Sequence, residues 1–282
     1  ANAVGMLADK IIENKGKKIV LVSLARAGIP IGILVKRYIK FKYGINVPHY
    51  SISIIRGRGI DDNAMKYLLE KYRPQQILFV DGWIGKGAIL NELKKDISAY
   101  EGVSADIAVV ADPANVTELC GTHEDILIPS SCLNSTVSGL ISRTFLRDDI
   151  IGRDDFHGAV YYGELTDSDL SYDFIETIEK EFNMENTPDL EKRVESQGID
   201  EVINIGKNFG IDDINLIKPG IGETTRVLLR RIPWKVLIDE RYKGNPQLEH
   251  IVRLAEEKHT PVEYYPLTHY KCCGIIKKLA DA

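Results

Sequence analysis

The chain has 282 residues, of which 44% are hydrophobic and 27% charged, a composition typical of a globular protein large enough for two domains of ordinary size. Its formal net charge of −5 argues against a chain that is polycationic throughout, although a local basic face remains compatible with it. No apolar run approaches the roughly 20 residues of a membrane span, and four cysteines do not make a disulfide framework in a chain of this size. We therefore expect a cytoplasmic protein with no membrane contact. Because the sequence starts without Met and inside a helical pattern, we also expect a further N-terminal segment.

The first half of the chain alternates short β-branched runs with amphipathic stretches. The runs are KIVLVS (18–23), YSISII (50–55), QILFVD (76–81), DIAVVAD (106–112) and DILIPS (125–130). The stretches with helical spacing are PIGILVKRYIKF (30–41), DDNAMKYLLEKY (61–72) and AILNELKKDISAY (88–100). This alternation predicts an α/β fold with a doubly wound parallel sheet, whose ligands bind beyond the carboxyl ends of the strands.

The pattern restarts after a polar segment. A helix is predicted at SYDFIETIEKEF (171–182), and we interpret residues 184–197 as a linker. After it come predicted helices at 199–209, 223–231 and 246–258, with predicted strands at 213–220, 234–239 and 261–267. The expected organisation is therefore a first domain at 1–183 and a smaller α/β/α sandwich domain at 198–282.

The segment ILFVDGWIGKGAIL (77–90) joins a predicted strand to a predicted helix. Glycines at such a turn let several backbone N–H groups point at one phosphate, and the helix dipole adds to the attraction. A carboxylate beside a phosphate is favourable only when the ligand also offers hydroxyls or a metal, so the pairing indicates a phosphorylated sugar. A nucleotide-triphosphate P-loop is excluded because Val80 stands where its first glycine is required. The alternative is a glycine-rich turn without a ligand.

The same segment resembles the phosphoribosyl-diphosphate-binding motif of type I phosphoribosyltransferases. The resemblance implies that Asp81 binds the ribose hydroxyls and that the donor is bound with Mg²⁺. It implies that the 5′-phosphate is bound by Gly85, Lys86, Gly87, Ala88 and Ile89.

Two further segments follow the first and second predicted strands. SLARAGIP (23–30) is similar to the diphosphate loop of uracil-type phosphoribosyltransferases, which assigns the leaving diphosphate to Arg26, Ala27 and Gly28. In RGRGIDD (56–62), Arg56 and Arg58 match a catalytic loop that closes over the diphosphate and excludes water. The alternative for these two arginines is a pair of solvated loop charges.

The middle of the chain carries a cysteine and a histidine in CGTHEDILIPSSCLNSTVSGLISRT (120–144). A cysteine nucleophile needs a nearby base, and His123 is the partner for Cys132 if the fold brings them together. The alternative for Cys132 is a small buried hydrophobic residue. One Cys-x-x-His pair is a weak zinc signal, so the metal ligands stay unknown.

KPGIGETTRVLLRRIPWKVLI (218–238) resembles the kink-turn RNA-binding signature of Pelota and certain ribosomal proteins. The resemblance assigns RNA contacts to Lys218, Gly220, Gly222, Glu223, Thr224, Arg226 and Arg230. Five cations between residues 218 and 235 would suffice for phosphate contacts, and the alternative is a solvated basic helix face.

The whole chain is similar to a bacterial phosphoribosyltransferase-like family that carries a Pelota-type RNA-binding domain, is found near tellurium-resistance and stress genes, and is sometimes labelled cysteine protease. We expect a pentosyl transferase that uses phosphoribosyl diphosphate and Mg²⁺ to transfer the phosphoribosyl group to an unidentified acceptor. The alternatives are a non-catalytic RNA-binding protein that senses a phosphorylated ribose and, third, a cysteine hydrolase. The expected partners are phosphoribosyl diphosphate, a structured RNA and a second copy of the chain.

Overall fold

The computed structural model describes residues 1–133, 135–187 and 195–278. Its first domain is built on a six-stranded sheet with the order β3-β2-β1-β4-β5-β6. The strands are β1 (Val20–Ala25), β2 (His49–Ile55), β3 (Gly59–Ile60), β4 (Ile77–Trp83), β5 (Ile107–Ala111) and β6 (Cys120–Thr122). Neighbouring strands are parallel except for β2 and β3.

Helices cover both faces of this sheet, as expected for strands that are apolar on both sides. They are α1 (Asn2–Lys15), α2 (Gly28–Tyr43), α3 (Asp62–Lys71), α4 (Ala88–Ile97), α5 (Pro129–Cys132) and α6 (Ser171–Lys180). One buried cluster joins α1, α2 and α6 to the sheet, and a second cluster joins α3 and α4 to the opposite face. The predicted doubly wound parallel sheet is confirmed.

The chain reverses its direction of winding at β1. It proceeds from β1 outward to β2 and then returns to place β4 on the other side of β1. Ligands of open α/β sheets bind at such a switch point, outside the carboxyl ends of the two central strands. The turns after β1 and β4 are therefore the first places to look for a site.

The predicted strand at 125–130 is wrong. The edge strand β6 lies earlier in the sequence. Residues 125–128 lead into the short helix α5, which begins at Pro129. Proline suits the first position of a helix because its missing N–H would have no partner there. A two-stranded antiparallel hairpin that the sequence did not reveal follows, formed by β7 (Ile141–Phe145) and β8 (Gly158–Tyr161).

The second domain is an α/β/α sandwich, as predicted. Its helices and strands are α7 (Gly198–Phe209), β9 (Ile217–Pro219), α8 (Ile221–Arg230), β10 (Pro233–Ile238), α9 (Glu249–Glu257), β11 (Val262–Tyr264) and β12 (Cys272–Ile276). The sheet order is β11-β10-β12-β9, with only β10 and β11 parallel. Separate apolar clusters hold α7 on one face and α8 with α9 on the other.

The boundaries predicted at 1–183, 184–197 and 198–282 stay predictions. Residues 188–194 of the linker and 279–282 of the second domain lie outside the described residues. In the described part of the chain, no helix is long and apolar enough to cross a membrane.

The two domains are joined by buried hydrogen bonds. Asp125 of the first domain is 2% exposed, and its carboxylate accepts the backbone N–H groups of Ile221 at 3.0 Å and Lys271 at 2.9 Å. The backbone N–H of Gly198 donates to the carbonyl of Ala114 at 2.9 Å. These contacts place α8 directly over the carboxyl end of β4.

Candidate functional site

The segment that follows β4 is a loop with unused hydrogen-bond donors. The strand continues to Trp83, and α4 begins after Gly87, whose φ of 85° is left-handed. The backbone N–H groups of residues 85–89 donate to no acceptor among the described residues. Such a group of donors at a helix start favours an anionic oxygen, above all a phosphate. The five predicted phosphate-binding residues therefore form one continuous segment, made of the loop end at 85–87 and the first two residues of α4.

Asp81 lies on β4 just before this loop. Its carboxylate is half-buried and accepts the backbone N–H of Gly82 at 2.7 Å. Burial raises the pKa of Asp81 to about 7, and the hydrogen bond from Gly82 opposes that rise. A carboxyl group that titrates near neutral pH and faces a cavity is characteristic of functional sites.

The turn between β1 and α2 lies against β4. A Cβ atom at Gly28 would meet the carbonyl oxygen of Val80 at 2.4 Å, so this approach requires glycine. The Ala25–Arg26 peptide bond is cis, and Ala27 lines the cavity described below. The turn predicted to bind diphosphate and the loop predicted to bind phosphate are thus neighbours at the switch point.

The Arg26 side chain is turned away from a ligand and toward backbone carbonyls. Its Nε donates to the carbonyl of Ser142, and Nη1 donates to the carbonyl of Leu133 at 3.0 Å and lies 3.5 Å from that of Ser130. The guanidinium thereby fastens the 130–142 segment to the β1–α2 turn. This arrangement does not favour the predicted catalytic and diphosphate-binding role of the Arg26 side chain. Of the other two residues predicted to bind diphosphate, Ala27 lines the cavity described below, whereas Gly28 is buried.

A cavity of about 520 Å³ lies between the two domains at this point. Both the turn after β1 and the loop after β4 contribute to its wall, and α8 closes the opposite side. Its charged lining residues are Asp81, Glu223, Arg56, Lys86, Lys218, Arg226, Arg230 and Arg231. Six cations against two carboxyl groups make the cavity suitable for a polyanion.

The cations of α8 are only partly paired. Arg226 forms an ion pair with Glu223 at 2.7 Å, and Arg230 lies 3.5 Å from the carbonyl of Cys132. The pKa of Arg26 is lowered by burial and then by the charges of Arg226 and Arg230. The guanidinium groups of Arg226 and Arg230 therefore lie at the end of the cavity that is nearest to Arg26.

The glycine turn before α8 is covered by the first domain. Gly220 lies against Trp83, and Gly222 lies near Trp83 and Cys132. Gly220, Gly222 and Thr224 are buried. The predicted RNA-contacting turn does not form an open surface in this arrangement of the domains, while Lys218, Glu223, Arg226 and Arg230 face the cavity.

Lys86 connects the phosphate loop to the second domain. Its Nζ donates to the carbonyls of Ile214 at 2.6 Å and Ile217 at 2.9 Å, and burial, followed by repulsion from Lys218, lowers its pKa to about 8. The Tyr270 hydroxyl donates to the carbonyl of Gly85 at 2.6 Å. The Lys86 side chain thus serves as a link between domains.

The two arginines of the 56–62 segment line different cavities. Arg56 lines the interdomain cavity, whereas Arg58 lines a second, polar cavity beside Asp61, Asp148 and Arg153. Only Arg56 is placed to meet a ligand bound between the domains.

The structure gives His123 a different sulfur neighbour from the predicted one. Its Nε2 lies 3.3 Å and its Nδ1 3.9 Å from Cys120 Sγ, so the sulfur sits beside the ring and not in line with a ring nitrogen. Cys120 is 0% exposed. Burial raises the pKa of the Cys132 thiol, whereas a nucleophilic thiol needs a lowered pKa. This geometry does not favour Cys132 and His123 as a nucleophile and base.

Within the described residues, one group of side chains has ligand atoms close enough together for a metal ion. These atoms belong to Asp112, Cys120 and His123 and lie within 4.8 Å of one another. None of the three lines the interdomain cavity.

The sequence did not reveal two residues of the cavity. Trp83 packs on Gly85 and Gly220, and Ser131 lies over Gly82 with a buried hydroxyl that lacks a partner among the described residues. The positions of Trp83 and Ser131 follow from contacts distant in sequence. Arg231, one of the five cations counted between residues 218 and 235, also lines the cavity.

Comparisons with known proteins agree with the two-domain arrangement. A family model described as "Tellurite-like stress resistance cysteine protease StiP" matches residues 1–179, and one described as "PELOTA RNA binding domain" matches residues 196–278. A curated protein of Acinetobacter baylyi (strain ATCC 33305 / BD413 / ADP1), named Cysteine protease StiP, is 33% identical over 300 residues, which cover 99% of this chain and 77% of that protein.

Two solved structures give weaker matches. A hypoxanthine-guanine phosphoribosyltransferase of Bacillus anthracis has 19% identity and a TM-score of 0.32, covering 43% of this chain and 73% of that chain. A purine phosphoribosyltransferase of Pyrococcus horikoshii has 17% identity and a TM-score of 0.27, covering 39% and 68%. The family assignment rests on the sequence matches: the chain belongs to the StiP family of stress-resistance proteins, and it carries a PELOTA RNA-binding domain.

Proposed function

We propose that the protein is a phosphoribosyltransferase-type enzyme that binds phosphoribosyl diphosphate between its two domains. The observation that carries this proposal is the convergence of Asp81, the amide-rich loop at 85–89 and the β1–α2 turn on one cationic cavity. A phosphorylated sugar needs an acceptor for its hydroxyls and donors for its phosphates. The cavity supplies both within about 520 Å³, the volume range of small-molecule sites.

In the proposed reaction, the bond between C1′ and the diphosphate oxygen breaks and the electron pair leaves with the diphosphate. A nucleophilic atom of the acceptor forms the new bond to C1′ and releases its proton to solvent. Asp81 would hold the ribose, the loop amides the 5′-phosphate, and the cavity arginines the leaving group, so that orientation and charge stabilisation lower the barrier.

The residues present fit a magnesium ion that arrives with the donor. Mg²⁺ is commonly bound by one or two carboxylates together with substrate phosphates, and Asp81 is a carboxylate in the cavity without a cationic partner among the described ion pairs. When bound, the ion would neutralise charge on the diphosphate.

The test is isothermal titration of phosphoribosyl diphosphate with Mg²⁺, followed by assay of diphosphate release with candidate acceptors. We expect binding that weakens at least tenfold in Asp81→Asn, because a neutral amide accepts less strongly from hydroxyls. Asp149→Asn, on an exposed loop, is the matched control. Equal affinity of wild type and Asp81→Asn would exclude this donor site.

The non-catalytic alternative is supported by the PELOTA match at residues 196–278. Such a protein would bind the donor and RNA without turnover. Donor binding with no diphosphate release from any acceptor, together with a salt-dependent RNA affinity, would favour this second function.

The thiol alternative rests on the family description of a cysteine protease. All four cysteines are buried, so we expect the native protein to react with iodoacetamide at pH 7 more slowly than a free thiol does, and to react rapidly once unfolded. A native thiol that is alkylated rapidly at pH 6 would revive the hydrolase.

A further inference from the structure

The convergence of cations on the β1–α2 turn leaves open which of them meets the leaving group. Arg26 is the residue that the motif resemblance assigns to the diphosphate. Its guanidinium donates instead to the carbonyls of Ser142 and Leu133. A diphosphate bound at the turn would still need cationic donors, because two charged phosphoryl groups are costly to bind without them.

The second domain brings arginines to this place. Arg26 donates to the carbonyl of Leu133, and Arg230 lies 3.5 Å from the carbonyl of Cys132, the preceding residue. Arg226 is one helical turn before Arg230 on α8, so both side chains share a face of that helix. Both line the cavity together with Ala27 of the turn.

We propose that Arg226 and Arg230 of the PELOTA domain bind the diphosphate of the donor, so that the second domain completes the active site. This inference rests on the proposed donor site and adds the two cationic side chains that would bind the diphosphate. As C1′–O cleavage proceeds, the departing diphosphate gains the electron pair and the two guanidinium groups hydrogen-bond to its oxygens.

The ion pair between Arg226 and Glu223 allows the inference to be tested by a gain of diphosphate affinity as well as by a loss. Glu223 holds Arg226 through an ion pair of 2.7 Å at the edge of the cavity. Loss of this carboxylate would free Arg226 and remove a negative charge from the site. A variant that gains affinity cannot be explained by damage to the fold.

The experiment is calorimetry of the full chain with three ligands: phosphoribosyl diphosphate with Mg²⁺, inorganic diphosphate, and ribose 5-phosphate. We expect Arg226→Gln and Arg230→Gln each to weaken the two diphosphate ligands by roughly tenfold to a hundredfold, the usual range for a hydrogen bond to a charged group. Ribose 5-phosphate affinity should stay within about twofold, since its groups meet Asp81 and the loop amides. Glu223→Gln should bind diphosphate several-fold more tightly.

Arg253→Gln is the matched control, because Arg253 lies on α9 and lines a different cavity. The inference is overturned if Arg226→Gln and Arg230→Gln bind diphosphate like wild type, if they lose ribose 5-phosphate equally, or if wild type binds no diphosphate at all. A different result would contradict the proposed function itself, namely that Asp81→Asn binds phosphoribosyl diphosphate as tightly as wild type does. Loss of binding in Asp81→Asn but not in the arginine variants would keep the donor site and remove only the inference.

Discussion

Asp81 combines a raised pKa with a proposed role, binding of the ribose hydroxyls, that requires a carboxylate. Its folded-state pKa of about 7 exceeds the ordinary value of 3.8 because the group is buried. Between these values the folded protein binds more protons than the unfolded chain, so this group makes folding less favourable as pH rises and has its full unfavourable effect above pH 7. A residue kept at such a cost in stability is expected at a binding site and not in a core designed only for packing.

We therefore predict opposite effects of Asp81→Asn on stability and binding. At pH 8 the variant should have a higher free energy of unfolding than wild type, by about 1–2 kcal/mol after allowance for partial exposure. The difference should shrink toward zero near pH 4, as measured by urea denaturation. Donor affinity should rise in wild type as pH increases through 7 but follow only the ligand's own ionisation in the variant. If Asp81→Asn were less stable than wild type at pH 8, burial of the charged Asp81 carboxylate would not be unfavourable in the folded protein. Asp106→Asn is a control of opposite sign, since the hydrogen bond from Lys15 lowers the pKa of Asp106.

Local sequence patterns predicted those helices and strands whose formation depends mainly on residues that are neighbours in sequence. The period of apolar residues located α2, α3 and α4, and the β-branched runs located β1, β2, β4 and β5. The edge strand β6 was misplaced because residues 125–130 are apolar for another reason: Ile128 packs into the core of the first domain, while Asp125 bonds the second domain. The strand β12 was missed because CCGII is short and contains glycine.

The residues of the candidate site also fall into two groups: those that a local sequence pattern indicates, and those whose positions depend on contacts between distant segments. The prediction for Asp81 and residues 85–89 depends on one continuous segment of sequence. The burial of Gly220 under Trp83 and the capture of Lys86 by two carbonyls of the second domain depend on docking between distant parts of the chain. A single sequence carries no direct record of such a docking.

The turn before α8 offers a prediction at this scale, because its two glycines differ in their surroundings. Gly220 has φ of 86°, and an added Cβ would meet the Trp83 ring at 2.7 Å. We expect Gly220→Ala to destabilise the protein by roughly 1–3 kcal/mol. Gly222 lies within α8, and its Cβ would meet only ordinary contacts at 3.7 and 4.0 Å. Gly222→Ala should be neutral or stabilising by up to about 1 kcal/mol, because alanine favours the helix.

Chemical denaturation of both variants measures this difference. Equal costs for Gly220→Ala and Gly222→Ala would mean that the turn does not pack under Trp83. RNA affinity adds a second readout. An RNA that contacts the turn itself would be affected by both substitutions, whereas one bound elsewhere would be affected by neither.

For the whole molecule, the cavity exists only while the two domains stay together. Arg226 and Arg230 come from one domain and Asp81 from the other, so opening separates these cations from the carboxylate that we propose binds the ribose. Among the contacts that oppose opening, Asp125 is buried and accepts an N–H from each of two segments of the second domain, at Ile221 and Lys271. Burial raises the pKa of the Asp125 carboxyl to about 6 despite those hydrogen bonds.

Asp125→Asn should uncouple the domains. An asparagine has one carbonyl oxygen, so its NH₂ group must face one of the two backbone N–H donors, and an unsatisfied buried donor costs about 1–3 kcal/mol. We expect wild type to unfold in one calorimetric transition and the variant in two, with faster hydrogen exchange at the amides of Ile221 and Lys271. Asp149→Asn, which removes an exposed carboxylate paired with Arg147, should behave like wild type. Because opening moves Arg226 and Arg230 away from the first domain, Asp125→Asn should also weaken diphosphate binding without touching a ligand-contacting residue. A variant that unfolds in one transition, keeps both amides protected and binds diphosphate normally would show that the domains are held together by contacts other than this carboxylate.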